Sequence, residues 1–190
     1  MIADRISNVL GSRIPQSLCG AQYKAAAVLI PIQEREDGDY LVLTKRAEHL
    51  NHHSGQVAFP GGRVDLEDGG ELAAALRESH EEIGIEPRDV RILGRLDQID
   101  AAYGYRVTPF VGVIPPVYEF RLNLAETVEV SSIPIAALLE KANFVVDEHL
   151  SPRGHPSYHF YVGGWDVWGV TARIIVQFLG LVYDFQVKKP

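Results

Sequence analysis

The chain carries one cysteine, Cys19, so no internal disulfide can brace it. No apolar run approaches the roughly 20 residues that a membrane-spanning helix needs. The opening Met1-Ile2-Ala3-Asp4-Arg5-Ile6 lacks the apolar core of a secretory signal, and a cytoplasmic location is the simplest expectation. Positive charge is also short. There are 18 Lys and Arg against 25 Asp and Glu, a formal net charge of -7 at pH 7. General nucleic-acid binding normally needs a basic face, so this balance argues against it. Phosphate substrates stay open, because a bound metal supplies local positive charge. Neither an internal repeat nor a low-complexity tract occurs. The 190 residues suit one domain able to bury a substantial core.

What the chain does have is a dense acidic segment, Arg77-Glu78-Ser79-His80-Glu81-Glu82-Ile83-Gly84-Ile85. Leu72, Ala75, Leu76, Ser79 and Ile83 recur at helical spacing and predict a buried stripe. Asp68 and Glu71 have capping-box spacing, Gly84 stands where a glycine stop is expected, and Pro87 discourages continuation. Glu78, Glu81 and Glu82 then fall within an arc of about 100°. They are expected to flank the stripe and face a cleft. Like charges four residues apart repel by a few tenths of a kcal/mol. A hard divalent cation such as Mg²⁺ would answer that repulsion, since it takes oxygen ligands and works with phosphates. Taken alone, such a cluster also fits a solvated helix face.

The preceding segment, Gly55-Gln56-Val57-Ala58-Phe59-Pro60-Gly61-Gly62, shifts the balance toward a site. A Pro-Gly-Gly turn tolerates unusual backbone conformations and leaves room for a ligand near the main chain. A calcium loop at Asp65–Glu71 fails, because Leu76 stands where an EF-hand needs its last Glu. Elsewhere, Ile2, Ile6, Val9 and Leu10 predict a short first helix that ends by Pro15. Residues 25–32 and 39–44 read as strands joined by an Asp-Gly hairpin. Residues 90–99, 107–114 and 158–162 read as further strands, and 133–142 and 170–181 as helices. Mixed elements in this order suggest a sheet between helices.

Residues 62–85 resemble the Nudix box, G-x5-E-x7-R-E-U-x-E-E-x-G-U with U aliphatic. Arg77, Glu78, Glu81, Glu82, Gly84 and Ile85 match. Ser79 replaces an aliphatic residue. Gly69 stands eight residues before Arg77, where the early Glu belongs, and the Gly62–Gly69 spacing is one residue long. A second signature narrows the likeness. Leu43-Thr44-Lys45-Arg46-Ala47, Gly55 and Phe59-Pro60-Gly61-Gly62 resemble the coenzyme A pyrophosphatase branch, with Val42 and Asn51 as departures. That branch tends to lack the early Glu. Residues 123–134 and Trp168-Gly169-Val170-Thr171-Ala172-Arg173 look like the same branch, so the likeness covers about residues 23 to 180.

The resemblance implies a Nudix α/β/α sandwich with a central mixed sheet, here over residues 23–190 after a helical extension at 1–22. It implies a Mg²⁺- or Mn²⁺-dependent pyrophosphohydrolase. The leading substrate is coenzyme A or a derivative, cleaved to 4′-phosphopantetheine and adenosine 3′,5′-bisphosphate. Alternatives are another nucleoside diphosphate derivative or a non-catalytic nucleotide sensor. A homodimer is compatible with this reading. Glu78, Glu81 and Glu82 are the expected metal and catalytic carboxylates, and Arg46, Gly61 and Gly62 the expected substrate contacts. A guanidinium fork suits phosphate oxygens, though Arg46 equally fits a strand-end surface charge. Arg77 is expected to orient the glutamates, with Asp68, Glu71 or Glu81 as its partner. Glu126 and Glu129 are candidate bases on a later loop, or plain surface acids ahead of a helix. Tyr103, Tyr105 and Trp168 fit either an adenine stack or core packing. His52-His53 as a zinc pair is disfavoured, because strand neighbours point to opposite faces.

Overall fold

The computed structural model describes residues 1–20, 22–49, 54–147 and 156–187. In chain order the elements are α1 (Ile2–Gly11), β1 (Lys24–Arg35), β2 (Gly38–Arg46), β3 (Val57–Ala58), β4 (Gly61–Arg63), α2 (Glu71–Ile83), β5 (Arg91–Arg95) and β6 (Ile99–Asp100). They continue with β7 (Tyr105–Ile114), β8 (Thr127–Pro134), α3 (Ile135–Leu139), β9 (Phe144–Asp147), β10 (Ser157–Val162), β11 (Trp165–Trp168) and α4 (Gly169–Tyr183). His52, His53 and Asn51 lie outside the described residues.

Strand β1 organises the fold. Its apolar run is buried on both faces, and its side chains alternate between two layers. Ala27 and Leu29 pack with Ala74, Ala75 and Ile83 of α2. Ile30 and Ile32 instead join Ala3, Ile6 and Leu10 of α1 and Ile175, Phe178 and Leu179 of α4. A mixed sheet therefore lies between helical layers, as the α/β/α expectation requires. Strand order is β3-β2-β1-β7-β5, with β8 on β2, β4 on β1 and β6 on β7. The β1–β7 pair is parallel and the other pairs in this sheet are antiparallel. A smaller antiparallel sheet, β11-β10-β9, packs Phe160, Val162, Trp165 and Val167 into the core shared by α1 and α4.

Register delivers the glycine segment to the acidic helix. Gly61, Gly62 and Arg63 pair with Val28, Ala27 and Ala26, directly beneath α2. Burying Ile83 in full fixes the helix on the sheet and is worth about 1.5–3 kcal/mol. Gly84 ends the helix in a left-handed conformation, φ 74°, and donates to the His80 carbonyl.

Several expectations need correction. Gly70, at φ 125°, is the N-cap of α2 and not Asp68, whose carboxylate is engaged elsewhere. Leu72 and Leu76 are half-buried, whereas Glu82 lies inside the buried set at 2% exposure. The glutamates therefore do not all flank the stripe. The helix expected over 133–142 is only Ile135–Leu139, because β8 runs on through Pro134 to pair with Tyr40. The strand expected over 90–99 is two, since pairing with β7 shifts register between Ile92 and Gly94 and lapses before Ile99.

Candidate active site

Strand β2 brings Arg46 to the buried end of the acidic helix. Its Nη1 donates to Glu82 Oε1 at 3.1 Å, while the Gly61 N–H donates to Glu82 Oε2 at 3.2 Å. Residues from both signature segments thus meet on one carboxylate. Burial raises the Glu82 pKa to about 7, despite the Gly61 N–H and Arg46, with Glu78 and Glu126 adding repulsion. Burial also raises the Glu78 pKa, against the pull of Arg77, and the charges of Glu81 and Glu126 add to it.

The two glycines are required by close approach. A Cβ on Gly61, already at φ 148°, would stand 2.4 Å from the Ala27 carbonyl oxygen. On Gly62 it would stand 2.6 Å from Glu78 Cδ. Both distances are shorter than any comfortable contact, so a side chain would lift the strand or displace Glu78. The space a Cβ would take at these two positions is occupied by β1 and by the Glu78 carboxylate.

Arg77 makes the opposite environment. Its Nε and Nη2 fork onto Asp68 at 2.9 and 3.0 Å, and Nη2 also donates to the Arg63 carbonyl at 3.1 Å. Its Nη1 donates to Glu78 at 2.8 Å and to Glu81 at 3.0 Å. All five guanidinium donors are matched. The guanidinium lowers the Asp68 pKa to about 2, and the carboxylates raise that of Arg77 further. Asp68 and Glu81 are the partners, while Glu71 accepts from Gln98 at 3.2 Å instead. Counting from Gly62 rather than back from Arg77 shows the signal: five residues separate Gly62 from Asp68. Asp68 fills the early acidic place, and the extra residue lies between it and the helix. Ser79, in an aliphatic place, is buried with its hydroxyl donating to the Ala75 carbonyl at 2.6 Å.

Glu81 is half exposed and faces Arg77, so it stands apart from the Glu82 pocket. Among the described residues, no three His, Cys, Asp or Glu side chains already surround one point. The donor set nonetheless fits a hard divalent cation. Glu78 and Glu82 are desolvated, mutually repelling carboxylates, and each retains acceptor capacity beyond the bonds above. Arg46 is not a surface charge: it is largely buried, and its Nε has no partner among the described residues. Glu129 is exposed on β8, whereas Glu126 precedes that strand, half-buried and close enough to repel both Glu78 and Glu82. Tyr103 and Trp168 are exposed and Tyr105 is half-buried, so none belongs to the deep core. The C-terminal signature ties α4 to both β3 and β6: Thr171 Oγ1 donates to the Val57 carbonyl at 3.0 Å, and Arg173 to the Asp100 carbonyl at 2.9 Å.

Comparison with known proteins agrees with this geometry. The profile of the NUDIX domain matches residues 23–154. A protein of Enterobacter sp. (strain 638), named as an uncharacterized Nudix hydrolase NudL, is 42% identical over 153 residues, covering 80% of this chain and 79% of its own. The NudL of Salmonella paratyphi B is 41% identical over the same shares. Among solved structures, a MutT/nudix family protein from Enterococcus faecalis superposes with a TM-score of 0.56 at 14% identity, over 97% of this chain and 70% of that one. The Nudix hydrolase RenU from M. smegmatis gives 0.52 at 19% identity, over 60% and 73%. These two likenesses concern the fold alone. With a matching profile along most of its length and relatives above 40% identity, the chain belongs to the Nudix family and is a Nudix hydrolase, of the group that generally uses divalent metal ions on small-molecule diphosphates.

Proposed function

We propose that this enzyme uses Mg²⁺ or Mn²⁺ to hydrolyse the diphosphate of coenzyme A or its derivatives, releasing 4′-phosphopantetheine and adenosine 3′,5′-bisphosphate. The carrying observation is that Arg46 and Gly61, from the segment resembling the coenzyme A branch, both bind the box carboxylate Glu82. That segment therefore shapes the hydrolytic centre itself. Thr44 adds to it, donating to the Ala58 carbonyl at 3.1 Å and fixing β3 beside β2.

Glu78 and Glu82 would hold the cation, and Glu81, held by Arg77 as the structure stands, would have to leave that partner to join them. Such an ion supplies charge neutralisation on phosphate oxygens and lowers the pKa of a bound water. The residues do the remaining work. Burial keeps Glu82 short of solvent and therefore in need of a positive partner. Gly61 and Gly62 keep the strand free of side chains beneath Glu78, so that carboxylate holds its place beside Glu82. Arg46 retains donors beyond the one on Glu82 and is assigned to a phosphate oxygen. Arg77 braces Glu78 and Glu81 from behind.

Incubation with coenzyme A and Mg²⁺, followed by chromatography, tests the substrate. Paired release of the two products is the expected result. Turnover of a dinucleotide or nucleotide sugar with coenzyme A left intact would reject the coenzyme A assignment.

A further inference from the structure

The segment between α1 and β1 is strapped across the start of α2 and encloses a second cleft there. Bonds to the β5–β6 connection hold this strap. The Gln16 N–H donates to Asp97 Oδ1 at 2.6 Å, the Gln98 N–H to the Gln16 carbonyl at 3.0 Å, and the Leu18 N–H to Gln98 Oε1 at 2.8 Å. The Gln98 amide in turn donates to Thr108 Oγ1 at 2.9 Å and to Glu71, the first residue of α2, at 3.2 Å. Strap, sheet and helix are thereby fixed around a cleft of about 750 Å³, walled by residues 17–20, Glu71, Arg95 and Arg106. The length of α2 from Glu71 to Glu82, about 16 Å, separates it from the acidic end of the helix.

The cleft is basic, in a chain whose formal net charge is -7. Arg95 and Arg106 line it, with Glu71 as the one carboxylate among the described lining residues. Glu71 is engaged by Gln98, and its Oε1 stands 3.8 Å from Arg106 Nη2, beyond hydrogen-bond length. Arg106 Nη1 donates to the Leu18 carbonyl at 3.2 Å, while its Nε is buried without a partner among the described residues. Arg95 donates to the Ser17 hydroxyl at 3.1 Å, and no carboxylate among the described residues pairs with it. Bracing the strap needs only the Leu18 and Ser17 bonds. It leaves both guanidinium charges short of an anion.

We propose that this cleft binds a phosphoryl group, carried by a small phosphomonoester or present as free phosphate, between Arg95 and Arg106 and apart from the hydrolytic centre. A phosphoryl group offers oxygens on several sides, so two guanidinium forks on neighbouring strands can share it. The volume falls in the range of small-molecule sites and exceeds what a bare ion needs. Leu18, Ala25 and Val64 supply an apolar wall for the body of an ester. Neither a metal nor the box glutamates enter this site.

Proton–nitrogen correlation NMR of the metal-free full chain, at fixed ionic strength, reads the site without turnover. The probes are inorganic phosphate and phenyl phosphate, with sodium chloride as the control. The amide signals of Cys19, Gly20 and Gly70, which line the cleft, are expected to shift saturably with the phosphate probes and not with chloride. Tighter binding of phenyl phosphate marks an ester as the occupant, and tighter binding of phosphate marks the free ion. Arg95→Gln and Arg106→Gln should each weaken binding roughly tenfold, since each removes charge-assisted bonds. Glu71→Gln keeps an acceptor for Gln98 and removes the competing charge, so it should tighten binding roughly threefold. In Glu82→Gln the shifts should match the parent. No saturable shift at these amides, the same shifts with chloride, parental affinity in either arginine variant, or weaker binding in Glu71→Gln would each overturn the proposal. Loss of the shifts in Glu82→Gln would do so too, by placing the phosphate at the hydrolytic centre. If the arginine variants melt well below the parent, Glu71→Gln decides alone, because it removes no bond that holds the strap.

Discussion

Arg77 and Glu82 sit within two turns of one helix, yet their surroundings oppose each other. Around Arg77 every donor has an acceptor, and the pairing holds Asp68 near pKa 2. Around Glu82 one arginine and one backbone N–H offset burial incompletely, and the carboxyl rises to about 7. The first arrangement is a satisfied brace. The second is a buried anion that lacks enough positive charge, which is the condition a metal would relieve. The satisfied brace and the charge-deficient pocket thus lie on one helix, and the proposed function assigns holding to the first and reaction to the second.

The sharpest way to break that contrast is Glu82→Gln. Side-chain size and the Gly61 contact survive, but the charge is lost. Activity is expected to fall roughly a thousandfold, about 4 kcal/mol in the barrier, with a melting temperature equal to or above the parent. Near-normal turnover would remove Glu82 from the reaction.

Gly62→Ala should come next. Its Cβ would meet Glu78 Cδ at 2.6 Å, so Glu78 must move. Activity should drop roughly a hundredfold, in line with the cost of displacing a catalytic group by about an ångström. A crystal structure of the variant with Glu78 unmoved would refute this cause.

On the brace side the effect should be on stability. Arg77→Ala removes charge-assisted bonds and is expected to cost about 1.5–3 kcal/mol in urea unfolding. Arg77→Lys should recover little, because an ammonium cannot reproduce the fork onto Asp68. Full recovery would mean that charge alone matters there.

The smallest expected effect concerns acid. The Asp68 carboxyl is depressed in the folded chain, so its contribution is complete above the ordinary value near 4. It fades as pH falls toward 2. Asp68→Asn should remove that portion of the acid unfolding slope and leave a flatter curve between about pH 4 and 2. An unchanged slope would show that Asp68 is not the group responsible.

Much of this frame was legible in the residues. Helix α2, its glycine stop, the β1–β2 hairpin and the stripe of α4 follow from local periodicity and turn chemistry, which neighbouring residues decide. Strand β8 was not, because Thr127-Val128-Glu129-Val130-Ser131-Ser132 is polar on much of its length and becomes a strand by pairing with β2. The burial of Glu82 was hidden for a similar reason. Its partners lie 36 and 21 residues away, and helical spacing alone cannot reveal them. The spacing of Asp68 to Glu71 suits a cap, yet Gly70 takes that place and the carboxylate turns to Arg77.

Calorimetric titration of Mn²⁺ into the parent and into Glu82→Gln, at pH 8 and at pH 6, tests the central claim most directly. A proton on Glu82 competes with a cation, and its folded pKa is about 7. The parent should bind Mn²⁺ clearly more tightly at pH 8 than at pH 6, and Glu82→Gln should bind weakly at both. Equal affinity in the two proteins, or no uptake by the parent at either pH, would contradict a metal site built on Glu82.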